Sequence, residues 1–168
     1  MTQNYFETFK LPTQFDIDLN ALYSAYRLIQ KTVHPDRFVS APQSEKAQSL
    51  MKSTEVNDAF QTLKQPLKRA EYLIKLNTKK ETVTTSSDFL MQQMEWEEHL
   101  ESISNQKIAL NDFKKLIDVK YQGYLKRLTK MIDKDKNWSN AQSILNKLKF
   151  IKKLKNKINQ RINVLEDH

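Results

Sequence analysis

Few residues in this 168-residue chain could do chemistry, and one group of them is contiguous. His34, Pro35 and Asp36 stand in a row inside "KTVHPDRFVS", residues 31–40, with Arg37 next. An imidazole beside a carboxylate suggests acid–base work, which requires a reacting group within hydrogen-bond reach. The rest of the sequence supplies little for it. The other two histidines, His99 and His168, are remote in sequence, and there is no cysteine. No Gly-rich phosphate loop, HExxH pair or nucleophile–base wording occurs. No histidine pair stands at ligand spacing, so neither a metal site nor direct binding of a metal cluster is expected. Catalytic residues and a cofactor are likewise not expected. What remains is a sharp break carrying one imidazole and one carboxylate.

The elements that hold this break are helical. One glycine, four prolines and no cysteine leave little turn chemistry for sheets, so the chain is expected to be all-α. "NYFETFKLP" predicts a short helical turn ended by Pro12. Asp18 is the predicted N-cap of a longer helix, in which Leu19, Leu22, Tyr26, Ile29 and Val33 recur at steps of three and four. Pro35 ends that helix, because proline disfavours the α region for the residue before it. Ser40 to Pro42 begins the next helix, whose clearest apolar stripe comes late, at Val56, Ala59, Phe60 and Leu63. Pro66 opens a last short helix, "PLKRAEYLIKL". The two long helices should pair as an antiparallel hairpin with His34–Pro35–Asp36 at its tip. Arg27 and Lys31 share a ridge roughly a quarter of a turn or more from the Leu22/Tyr26/Ile29 stripe. The simplest reading of that ridge is a solvated helix face.

Polar "NTKKETVTTSS", residues 77–87, lacks periodicity and is the expected linker between domains at 1–76 and 88–168. The second domain predicts three helices, at about 88–104, 110–133 and 138–165, burying their stripes as a bundle. The middle stripe is Leu110, Phe113, Ile117, Tyr121, Tyr124, Leu128 and Met131, and Gly123 suggests a close helix contact. The last is Ile144, Leu148, Ile151, the stem of Lys155, Ile158, Ile162 and Leu165. The first of these helices is apolar on two sides. Phe89, Trp96, Leu100 and Ile103 suit the core, while Leu90, Met91 and Met94 lie opposite, among Glu95 and Glu98. Two carboxylates argue against complete burial of that second side, which leaves an interaction patch, scattered surface apolar residues or packing against the first domain. Phe150 sits roughly 110° from the stripe of its own helix. Replacing Leu90, Met94 and Phe150 by alanine is therefore expected to cost little stability.

Net charge is +8, distributed as +2 over residues 1–76 and +6 over residues 77–168. Residues 88–101 carry five acids and no Lys or Arg, whereas residues 126–161 carry twelve bases and two acids. A basic helical protein raises nucleic acid as a partner, through residues 147–161. The acidic and basic blocks could instead face each other once folded. No apolar run approaches the roughly 20 residues of a membrane span. The N-terminal "MTQNYFETFK" resembles neither a signal nor a transit peptide. A soluble protein of a reducing, intracellular compartment is expected.

A short first helix, a long antiparallel pair, a basic ridge and HPD in the connecting loop together resemble the J-domain. "HPDRF", "VNDAFQTLKQPLKRAEYLI" and "FLMQQMEWEEHLE" further resemble the HscB family of J-domain co-chaperones of iron–sulfur cluster assembly. This likeness runs over essentially the whole chain. It implies an N-terminal J-domain followed by a C-terminal three-helix bundle, without an enzymatic activity of its own. It implies docking on a heat-shock chaperone ATPase of the HscA or DnaK class through His34, Pro35, Asp36, Arg37, Arg27 and Lys31. Asp36 is expected to engage an arginine of that partner, a carboxylate on a rigid tip being suited to a guanidinium. It implies binding of the scaffold protein IscU through Leu90, Met91, Met94, Glu95, Glu98 and Phe150. One acidic position of that patch is Ser102 here. A monomer of the bacterial cytoplasm, without nucleic-acid or membrane partners, is the expectation that follows.

Overall fold

The computed structural model describes residues 3–79 and 84–168, so part of the expected 77–87 linker lies outside the described residues. The chain divides into two compact units, Met1–Leu76 and Asn77–His168.

In the first unit, α1 (Tyr5–Thr8) is closed by a capping box in which Asn4 and Glu7 satisfy each other's backbone N–H. α2 (Leu19–Val33) starts where the Asp18 carboxylate accepts the N–H groups of Asn20 and Ala21. It ends at His34, whose extended backbone (φ −63°, ψ 135°) is the geometry a following proline imposes. A 3-10 turn, Pro35–Phe38, then leads to α3 (Gln43–Lys64) and α4 (Pro66–Asn77). Leu22, Val56, Ala59, Phe60 and Leu63 are buried as their spacing requires, whereas Leu19, at the helix start, is 41% exposed. Tyr26 stacks on Phe60 at 4.0 Å between centroids and locks α2 to α3.

Arg69 makes an unexpected contribution to this core. Its side chain is buried, with Nε donating to the Phe15 carbonyl and Nη1 to the Leu63 carbonyl, both at 2.7 Å. The guanidinium also lies over the Phe15 ring at 4.7 Å. One cation thus ties the loop after α1 to the end of α3. Tyr72 plays a similar role for α1, accepting the Tyr5 N–H at 2.9 Å and stacking on the Tyr5 ring. Partial burial pushes its phenol pKa up.

The second unit holds α5 (Ser87–Ser102), α6 (Lys107–Thr129) and α7 (Trp138–Glu166), with a π-helical turn at Lys130–Lys134 closing α6. Ser86 caps α5 by accepting the Phe89 N–H. Phe89, Trp96, Leu100 and Ile103 meet Leu110, Phe113 and Ile117 from α6 and Ile151, Leu154, Ile158 and Ile162 from α7 in one core.

Three details of the periodic reading change. The π turn presents Ile132 rather than Met131 as the buried residue after Leu128. Leu154 completes the α7 stripe, and Lys155 contributes its stem while its ammonium pairs with Asp118 at 2.9 Å and sits over Tyr121. Gly123 is exposed, and a Cβ there would meet nothing within 4 Å, so no close helix contact requires it.

Candidate functional site

Hydrogen bonds to His34 shape the HPD turn. His34 Nδ1 accepts the Asp36 N–H at 3.2 Å, and the His34 carbonyl accepts the Arg37 N–H at 3.0 Å. With Pro35 fixing φ at the first position, these bonds define where the Asp36 side chain leaves the turn. That carboxylate is 90% exposed, with His34 Nδ1 3.5 Å from one oxygen.

Arg27 and Lys31 are exposed on α2, on the approach to the tip. Arg37 is exposed too, but its Nη1 turns back to donate to the Lys31 carbonyl at 2.7 Å. These cations border a groove of about 720 Å³ between α2 and α3, floored on the α3 side by Ser53, Thr54 and Asn57. Gln30 spans it, donating to the Ser53 carbonyl and accepting from the Ser53 hydroxyl. Periodicity did not reveal this groove. Ser53 and Asn57, four residues apart beside the apolar stripe of α3, were the signal available.

In the second unit, Leu90, Met91 and Met94 are 48%, 61% and 64% exposed on the face of α5 opposite its core stripe, with Glu95 and Glu98 also exposed. Three large apolar side chains on one helix face form a patch rather than scattered surface residues. Ser102, at the end of the helix, donates its hydroxyl to the His99 carbonyl at 2.7 Å.

Phe150 departs from expectation. It is half-buried against the core, edge-on to Phe89 at 5.9 Å and stacked on Trp96 at 6.3 Å. An angle of roughly 110° from the α7 stripe points it at α5, not at solvent. Its removal is therefore not neutral. With two aromatic pairs lost as well as buried area, Phe150→Ala should lower stability by about 2 kcal/mol, readable as a shifted urea midpoint.

The charge blocks meet as ion pairs between α5 and α7, Lys157 with Glu97 at 2.8 Å and Arg161 with Glu101 at 2.7 Å. Each exposed pair contributes at most about 1 kcal/mol, but together they occupy part of the basic run that suggested nucleic acid. No group of three or more side chains among the described residues could hold a metal ion.

An HPD turn at the tip of a helical hairpin, followed by a separate three-helix bundle, defines a J-domain protein with an appended helical domain. Likeness to known proteins narrows the class. A relative from Photobacterium profundum described as a co-chaperone protein HscB homolog is 40% identical over 162 residues, covering 92% of this chain and 94% of that protein. The solved structure of the chaperone HscB from Vibrio cholerae superposes with a TM-score of 0.88 at 38% identity, over 97% of this chain and 99% of that one. Human co-chaperone protein HscB gives the same TM-score at 28% identity, over 95% and 82% of the two chains. The family profile of the HSCB C-terminal oligomerisation domain matches residues 85–159. The chain belongs to the HscB co-chaperone family.

Proposed function

We propose that the protein stimulates the ATPase of a heat-shock chaperone of the HscA or DnaK class and delivers to it the iron–sulfur scaffold protein IscU, in the bacterial cytoplasm. The observation that carries this reading is the Asp36 carboxylate, 90% exposed on a turn in which the Asp36 and Arg37 N–H groups are both bonded to His34. Such a group is pre-organised to pair with a guanidinium and to favour one state of a chaperone that switches between two. Hydrolysis itself is the chaperone's chemistry. The α5 patch supplies the second contact: flexible methionines adapt to a partner surface, and the two glutamates select its register and charge.

The basic ridge should act mainly through encounter. Reversing Arg27 and Lys31 to glutamate should weaken chaperone docking about tenfold or more at low salt, and wild-type docking should itself weaken as salt is added. Calorimetric titration of the scaffold should be unchanged by the reversal. Docking insensitive to both salt and reversal would reduce the ridge to a solvated face. The proposed function as a whole is tested by the steady-state ATPase rate of the chaperone, with and without the scaffold. Stimulation that rises further when the scaffold is added supports it, and an unchanged basal rate contradicts it.

A further inference from the structure

We infer that Ser49 is a positioning residue for the HPD turn: its hydroxyl, reaching across from α3, caps the carbonyl end of α2 and so sets where Asp36 points. The inference rests on the proposed reading of that turn as the chaperone-engaging site. The last four carbonyls of a helix lack donors of their own. At the end of α2 the structure supplies three of them. The Gln30 carbonyl accepts the His34 N–H at 2.9 Å, the Lys31 carbonyl accepts from Arg37, and the Val33 carbonyl accepts from Ser49 Oγ at 2.7 Å.

The third bond is the informative one. Ser49 lies one and two heptads before Val56 and Leu63, on the inner stripe of α3, where its pattern calls for an apolar side chain. It is 5% exposed, and with Arg69 it makes up the buried polar side chains among the described residues. A hydroxyl placed there is unfavourable unless bonded, and its bond goes to α2 rather than back into its own helix. The Val33 carbonyl belongs to the peptide that enters His34. Fixing that peptide plane fixes the His34 backbone, and His34 holds the Arg37 N–H through its carbonyl and the Asp36 N–H through its ring Nδ1. Being buried, Ser49 acts on a partner only through this chain of bonds. Arg37, by contrast, is exposed and could also touch the partner.

Ser49→Ala tests this against Ala70→Gly, a helix-weakening control at a buried position on α4. Amide hydrogen exchange should accelerate at Asp36 and Arg37 in Ser49→Ala by about fivefold, the worth of one neutral hydrogen bond. In chaperone titrations the maximal stimulated ATPase rate should fall by about the same factor, while the half-saturating concentration, set largely by the intact ridge, changes little. Ala70→Gly should do neither. Unchanged exchange at the two turn amides would overturn the inference, as would an equal loss of stimulation in Ala70→Gly. If the wild-type protein fails to stimulate the chaperone while exchange still responds to Ser49→Ala, the positioning stands and the chaperone reading falls.

Discussion

Asp36→Asn should abolish chaperone stimulation while leaving the fold untouched. The turn is held by the Asp36 N–H, the Arg37 N–H and the ring of Pro35, none of which the substitution alters. The lost carboxylate is 90% exposed, and among the described residues it pairs with the half-exposed His34 ring at 3.5 Å. Stability should therefore stay within about 0.5 kcal/mol of wild type, as for an ordinary surface change. The partner's guanidinium would face an amide that presents N–H donors where it needs two anionic oxygens. A hydrogen bond to a charged group contributes about 1.5–3 kcal/mol, so the stimulated rate should drop by an order of magnitude or more. Circular dichroism and the steady-state ATPase rate check the two halves of this expectation. A folded Asp36→Asn protein with normal stimulation would remove Asp36 from the mechanism.

Leu90→Ala/Met94→Ala should abolish scaffold binding without unfolding the bundle. The two residues stand four apart on α5, 48% and 64% exposed, on the face away from Phe89, Trp96 and Leu100. Alanine at these positions removes no core contact and favours the helix slightly. A few central apolar anchors usually dominate an interface, with costs of 2 kcal/mol or more each by alanine truncation, so affinity should fall by about a thousandfold. Phe150 is left out of this variant because its ring stacks on Trp96, and its loss would confuse binding with stability. Calorimetric titration against the scaffold decides. Normal binding by the folded double variant would place the scaffold site elsewhere.

What the sequence made legible, and what it hid, divide along a physical line. Apolar periodicity located both halves of the hairpin, the bundle and the exposed face of α5, because the hydrophobic effect acts on every residue of a stripe at once. Asp18 was readable as a cap because a side-chain carboxylate before an apolar stripe has few other local uses. Ser49 and Arg69 were not readable. Polar residues signal surface on average, and their burial depends on carbonyl groups, at Val33, Leu63 and Phe15, that no pattern locates. The half-burial of Phe150 was hidden for a related reason. An angle on one helix wheel gives a direction, but only the position of α5 says whether that direction is solvent or core. The Met131/Ile132 exchange comes from one π turn, which shifts the helical phase by about a residue. Of the proposed contact residues, the HPD turn itself was legible as a motif, while the groove beside it required two helices to be placed.

The central claim is that one chain carries both contacts and couples them by tethering. The most direct test mixes Asp36→Asn and Leu90→Ala/Met94→Ala proteins in equal amounts, so that each contact is intact on a different chain. The chaperone ATPase rate is then measured at limiting co-chaperone with the scaffold present. Tethering raises the effective concentration of a second partner only within one molecule. The mixture should therefore show the stimulation of the Leu90→Ala/Met94→Ala protein alone, without the further rise that wild type gives with the scaffold. A mixture that restored the full wild-type rate would contradict the account, because the two contacts would then act without being joined.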